Sequence, residues 1–180
     1  QPSEFDLIAG YFANLTGQSG VALGIGDDAA LLNVTPGQQL AMASDTLVAG
    51  VHFPETASGR QVATRSLCVN LSDMAAMGAN PRWFTLALTL PRDKANTEWL
   101  ADFSGGLGDI AERYNVALVG GDTTSGPLTL TLTLVGEVAV GEALTRGGAG
   151  PGDAVFVTGS LGDGAAALEL ITNNRRLQRN

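Results

Sequence analysis

Four separate segments of this 180-residue sequence bring a carboxylate next to a stretch with strand or helix character. Asp27-Asp28 follow the run Val21 to Ile25, Asp45 follows Leu40 to Ala43, Asp122 follows Val116 to Val119, and Asp73 lies in the otherwise apolar Leu71-Ser72-Asp73-Met74-Ala75. Carboxylates gathered in one place repel one another unless a hard cation neutralises them. Mg²⁺ suits that role, because it takes oxygen ligands and keeps waters that phosphate oxygens can replace. Two glycine loops adjoin the same acids, Gly24-Ile25-Gly26-Asp27-Asp28 and Gly120-Gly121-Asp122-Thr123-Thr124. Bare backbone N–H groups in such loops can cradle phosphate oxygens while aspartate holds the accompanying Mg²⁺, a division of labour suited to a nucleotide triphosphate. Taken singly, each aspartate also fits a turn or a helix cap, and each glycine a tight turn with positive φ. Asp73 fits that plainer reading least, since an unpaired carboxylate among apolar neighbours is costly.

Other groups add less. His52, the only histidine, falls in Ala49-Gly50-Val51-His52-Phe53-Pro54, a predicted loop after Asp45. Arg146, in Thr145-Arg146-Gly147-Gly148, has neighbours that leave its guanidinium accessible, which suits a phosphate or simply solvent. No G-x-x-x-x-G-K-[ST] run exists, which excludes a P-loop. Thr158-Gly159-Ser160-Leu161-Gly162-Asp163-Gly164 lacks the third glycine of a dinucleotide loop. There is no G-x-S-x-G elbow, so a serine triad is disfavoured. Trp83, Phe84, Trp99 and Phe103 read as core.

With 18 acidic and 10 basic residues the net charge is −8, and the sequence offers no electrostatic footprint for nucleic acid. No apolar run approaches the roughly 20 residues of a membrane span, and a cytoplasmic protein is expected. The single cysteine, Cys68, cannot form an intrachain disulfide or a thiolate cluster, so any metal must sit on oxygen.

These residues need elements to hold them. Ser3 with Asp6 resembles a capping box, and Phe5, Ile8, Ala9, Phe12 and Leu15 suit an amphipathic helix reaching Thr16. Strands are predicted at Val21 to Ile25, Ala29 to Val34, Leu40 to Ala43, Phe84 to Leu90, Val116 to Val119 and Ala154 to Thr158. Leu128, Leu130, Leu132 and Leu134 alternate with threonines, which marks a strand with one apolar face. Helices are predicted over 60–77, from Asn96 or Thr97 to Tyr114, and around Ala165 to Ile171. The interleaving, with meander-like strand pairs, predicts an α+β fold, a mixed β-sheet packed with helices. Residues 1–141 are expected to form one domain, with 142–180 a linker and first strand and helix leading toward a further domain.

The segments Leu23-Gly24-Ile25-Gly26-Asp27-Asp28-Ala29-Ala30, Ser44-Asp45-Thr46-Leu47-Val48-Ala49-Gly50-Val51-His52-Phe53, Val69-Asn70-Leu71-Ser72-Asp73-Met74-Ala75-Ala76-Met77-Gly78 and Gly120-Gly121-Asp122-Thr123-Thr124 closely resemble, in order and spacing, bacterial thiamine-monophosphate kinases. The resemblance covers nearly the whole chain and implies the N-terminal ATP-binding domain of the fold shared with aminoimidazole ribonucleotide synthetase and selenophosphate synthetase. It implies ATP-dependent phosphorylation of thiamine monophosphate to thiamine diphosphate by direct in-line transfer, with no covalent nucleophile. By the same resemblance Asp28, Ser44, Asp45, Asp73 and Asp122, with Asp27 beside them, are expected to hold several Mg²⁺ ions. Gly121, Asp122 and Arg146 are expected to contact ATP and His52 the substrate, in a cytoplasmic homodimer joined through this domain. Ala43 stands where the family usually has a hydroxyl residue. No Asp-Leu-Ser-Asp-Gly-Leu or Ser-Gly-Gly-Glu-Asp-Tyr-like segment is present, so the chain is expected to be an N-terminal half with little activity alone. The alternatives are an ATP-using enzyme of the same fold with another phosphate acceptor, and a non-catalytic dimerising nucleotide-binding module.

Overall fold

The computed structural model describes residues 7–16 and 20–173. Two compact units are distinguished, residues 1–145 and 146–180.

The first unit is a mixed four-stranded sheet with helices on one face and a small ribbon on the other. The sheet is built from β3 (Gln38–Val48), β4 (Asn80–Leu90), β5 (Ala117–Ser125) and β6 (Thr129–Ala139), in the order β3-β6-β4-β5. The ribbon pairs β1 (Val21–Leu23) with β2 (Leu31–Leu32). Only β4 and β5 run parallel, joined by a helical crossover as parallel strands require. The expected α+β class is what the chain adopts.

Helix α1 (Gly59–Ala76) starts at a capping box in which Ser58 and Gln61 bond each other's backbone N–H groups. Helix α2 (Thr97–Tyr114) starts where the Asn96 side chain accepts from the Trp99 N–H at 2.9 Å and ends at left-handed Asn115. Val62, Leu67 and Met74 of α1 and Leu100, Phe103 and Leu107 of α2 meet Phe84, Leu86, Leu88, Leu130, Leu132 and Leu134 in the main core. Phe103 stacks on Trp99. A second core on the opposite face gathers Trp83, Ala117 and Val119 under Val21, Ala30 and Leu32 of the ribbon. Strand alternation thus sends Trp83 and Phe84 to different cores, both fully buried.

Several expectations are corrected. Residues 8–12 wind as a π-turn and 13–16 as a 3₁₀ turn, not as one α-helix. Gly10 weakens α-helix propagation, and Phe12 is anchored edge-on against Phe103. The Ser3/Asp6 capping box lies outside the described residues. Asp45 and Asp122 lie within strands rather than after them, because cross-strand pairing carries β3 to Val48 and β5 through both glycines to Ser125. Asp73 is exposed: the helical period turns Leu71 and Met74 inward and Asp73 outward. The apolar Leu128 to Leu134 face is buried beneath the chain's own helices, so it offers no surface for self-association.

In the second unit, α3 (Asp163–Thr172) matches the expected helix. The expected strand at Ala154 to Thr158 does not form: the segment pairs with no strand among the described residues, and Val155 and Phe156 stand 93% and 88% exposed. No helix among the described residues is long and apolar enough to cross a membrane.

Candidate functional site

A cavity of about 400 Å³ opens between the loop after β1 and the middle of β5. Its walls are Ile25 to Ala30 on one side and Leu118 to Thr123 on the other, with Ile8, Phe12 and Leu86 adding apolar surface. The two glycine loops, nearly a hundred positions apart in sequence, therefore face one space and bring Asp27, Asp28 and Asp122 to it. The Asp28 N–H donates to the Asp27 carboxylate at 2.9 Å. All three acids are exposed. No cationic side chain among the described residues is paired with them.

Gly26 and Gly121 have φ of +129° and +151°, which side-chain-bearing residues rarely adopt. Gly121 is constrained twice over, because a Cβ there would lie 1.9 Å from the Leu86 carbonyl oxygen. Bare backbone at this point is a condition of β4–β5 pairing as well as of access to the cavity.

The other expected site residues stand elsewhere. Across the sheet Asp45 pairs with Leu132, Leu132 with Leu86 and Leu86 with Gly121. Three strand spacings of about 4.8 Å separate the ends of that row by about 14 Å, too far for one ion to bind both Asp45 and Asp122. Ser44 and Asp45 alternate across β3. The Ser44 hydroxyl lies 2.9 Å from that of Thr133 and donates to the Leu132 carbonyl at 3.2 Å, while Asp45 shares the face of buried Leu47. Asp73 is on the outer side of α1. His52, exposed after β3, accepts the Val48 N–H on Nδ1 at 3.0 Å. Arg146 is exposed in the second unit. Among the described residues no three His, Cys, Asp or Glu side chains are grouped to hold a metal. Burial raises the pKa of the half-buried Cys68 thiol.

Sequence reasoning missed one group beside the ribbon. Glu137 is 5% exposed, yet it accepts from the Thr35 N–H at 2.7 Å and the Thr35 hydroxyl at 2.9 Å and lies 3.7 Å from the Arg82 guanidinium. Burial pushes its carboxyl up, but the Thr35 bonds and the Arg82 charge outweigh that and hold it below the usual carboxylate range. The available signal was a lone charge in the apolar run Val135-Gly136-Glu137-Val138.

The chain belongs to the family described as AIR synthase related protein, N-terminal domain, which matches residues 26–138. Within it the chain is similar to thiamine-monophosphate kinases. That of Escherichia coli (strain K12) is 52% identical over 176 residues, covering 97% of this chain and 53% of that protein. The crystal structure of thiamine-monophosphate kinase from Stenotrophomonas maltophilia K279a superposes with a TM-score of 0.81 at 47% identity, over 88% of this chain and 49% of that one. The structure of AaThiL complexed with AMPPCP and TMP does so at 0.74 and 33%, over 86% and 49%. The chain thus spans about half the length of the curated relatives it matches.

Proposed function

We propose that this chain is the ATP-phosphate and Mg²⁺-binding part of a thiamine-monophosphate kinase, which transfers the γ-phosphoryl of ATP in line to thiamine monophosphate and forms thiamine diphosphate. The observation that carries this reading is the meeting of the Asp27–Asp28 loop and the Gly120-Gly121-Asp122 segment around one cavity. Similarity to thiamine-monophosphate kinases, and to AaThiL in its complex with AMPPCP and TMP, supports the same reaction.

The donor set fits Mg²⁺. Every candidate group is an oxygen, and Mg²⁺ commonly takes only one or two carboxylates, completing its octahedron with waters and substrate phosphates. Asp27 or Asp28 on one wall and Asp122 on the other would each offer a carboxylate to an ion in the cavity, and Ser44, Asp45 and Asp73 are the remaining oxygen donors proposed for a site of several ions; bound there, Mg²⁺ would supply charge neutralisation to the transferred phosphoryl group. The Gly121 and Asp122 backbone would face the nucleotide phosphates; the exposed Arg146 guanidinium, in the second unit, has the donors a phosphate needs. His52, with Nδ1 occupied by Val48, presents Nε2 to the substrate. No side chain forms a covalent intermediate.

The protein acts in the cytoplasm as a homodimer. Support for the dimer comes from the sheet face opposite the helices, where Leu40 and Met42 of β3 are 52% and 73% exposed beside the hydroxyl pairs Ser44–Thr133 and Thr46–Thr131. The function is tested by calorimetric titration with the ATP analogue AMP-PCP, with and without Mg²⁺. Wild type is expected to bind tightly only with Mg²⁺, and Asp28→Asn or Asp122→Asn to remove most of that dependence. Equal affinity in both conditions overturns the reading.

A further inference from the structure

The ribbon that carries Asp27 and Asp28 shares no strand pairing with the main sheet. Its attachment rests on side chains and on the chain that leaves it. Val21, Ala30 and Leu32 pack around Trp83. Where the chain enters the ribbon, Gly20 sits so close that a Cβ would come within 2.8 Å of the Trp83 ring and 3.1 Å of the Arg82 guanidinium. The Asn33 N–H closes the ribbon by donating to the Gly20 carbonyl at 2.8 Å. Two residues on, Thr35 gives both its N–H and its hydroxyl to Glu137. Arg82 completes the connection, with its guanidinium 5.3 Å above the Trp83 ring and 3.7 Å from Glu137.

A carboxylate at a position this buried loses its hydration and must be fully bonded to persist. An apolar residue would pack in the Val135–Val138 stretch of β6 at less cost. What an apolar residue cannot do is hold Thr35 by two hydrogen bonds and Arg82 by charge. The two Thr35 bonds join the exit of the ribbon to β6 and the Arg82 charge ties β6 to β4, while Gly20 and Val21 against Arg82 and Trp83 join the start of the ribbon to β4. Both ends of the segment bearing Asp27 and Asp28 are thereby referred to the sheet that carries Gly121 and Asp122.

We propose that Glu137, acting through Thr35 and the Arg82–Trp83 stack, is a positioning residue that sets the Asp27–Asp28 loop opposite Gly120–Asp122. This rests on the nucleotide reading of the cavity given above. A displacement of about 1 Å in a phosphate-positioning group is enough to weaken its contribution by about a hundredfold in rate. Loosening this attachment therefore acts at the cavity while the main core stays intact.

The test compares Glu137→Ala, Glu137→Gln and Leu107→Ala, the last a destabilised control in α2 that lines neither the cavity nor the small core beneath the ribbon. Each is first shown to be folded at the working temperature by circular dichroism. Amide hydrogen exchange is then followed at residues 24–30, and Mg²⁺–AMP-PCP affinity is measured. Glu137→Ala is expected to exchange faster than wild type and Leu107→Ala at residues 24–30, and to bind about tenfold more weakly, a change of about 1.4 kcal/mol. Glu137→Gln keeps an acceptor for the Thr35 N–H and is expected to fall between Glu137→Ala and wild type. If residues 24–30 exchange no faster in Glu137→Ala than in Leu107→Ala, the positioning role is overturned. It is equally overturned if wild type binds and Glu137→Ala binds as well. If wild type itself shows no Mg²⁺-dependent binding, the nucleotide reading fails, and the exchange comparison alone decides whether Glu137 sets the loop.

Discussion

Replacing Gly121 by alanine probes the place where sheet pairing and the candidate phosphate site coincide. The added Cβ would be 1.9 Å from the Leu86 carbonyl oxygen and 2.6 Å from its carbon, so β4 and β5 must part by more than an ångström or the peptide must turn. A residue with a side chain held at such a φ costs about 1–3 kcal/mol, and forced overpacking costs about 1–3 kcal/mol more. The expected loss of about 2–6 kcal/mol is a large part of the roughly 5–15 kcal/mol that stabilises a typical domain. At about 4 °C per kcal/mol for a unit of this size, the melting temperature should fall by roughly 8–24 °C. Gly120 is the internal control. A Cβ there meets only the Thr85 methyl at 4.0 Å, so Gly120→Ala should stay within about 1 kcal/mol of wild type. Thermal unfolding followed by circular dichroism decides. Equal melting temperatures for Gly121→Ala and wild type, or an equal drop in both variants, would refute the steric reasoning.

Two further predictions use other features. Glu137 has its folded pKa below the unfolded value of about 4.3, so its stabilising effect is complete above that pH and drains away as pH falls through the folded value. The stability gap between wild type and Glu137→Gln, measured by urea unfolding, should therefore narrow from pH 6 toward about pH 3, and a gap that stays constant refutes the linkage. Wild type is expected to sediment as the proposed dimer, and Met42→Glu, which adds charge to the exposed sheet face, as a monomer with chemical stability changed by less than about 0.5 kcal/mol; a monomeric wild type refutes the dimer, and a dimeric Met42→Glu removes this face as the contact.

The legible parts of the fold were those written as periodicity. The leucine–threonine alternation from 128 to 134 announced a strand, and Asn96 announced the start of a helix. Strand ends were less legible because they depend on partners: β5 runs through Gly120 and Gly121 only because β4 lies alongside, and Ala154 to Thr158 stays unpaired despite its composition. In the candidate site, the two glycine–aspartate loops were found from their local texture, and the structure brings them to one cavity. The buried setting assigned to Asp73 failed because apolar neighbours in sequence are not neighbours in space on a helix. The apolar wall from Ile8, Phe12 and Leu86 could not be read at all, and the lone charge at Glu137 did not disclose Thr35 and Arg82 as its partners, since each joins segments far apart in the chain.

The unpaired run at Ala154 to Thr158 gives molecules of this chain a second way to meet, apart from the sheet face proposed for the dimer. Val155, Phe156 and Val157 are consecutive, β-prone, uncharged and exposed, with backbone groups free of strand partners. Such a stretch can add edge to edge onto its own copy and seed ordered aggregates. Against this stands mutual repulsion from a net charge of −8, which reaches only about 8 Å at physiological ionic strength and vanishes near the isoelectric point of about 4.4. Colloidal stability is therefore greatest in dilute buffer well above that pH. Asp153, the charged residue immediately before the run, is its gatekeeper, and neutralising it removes the nearest barrier to stacking.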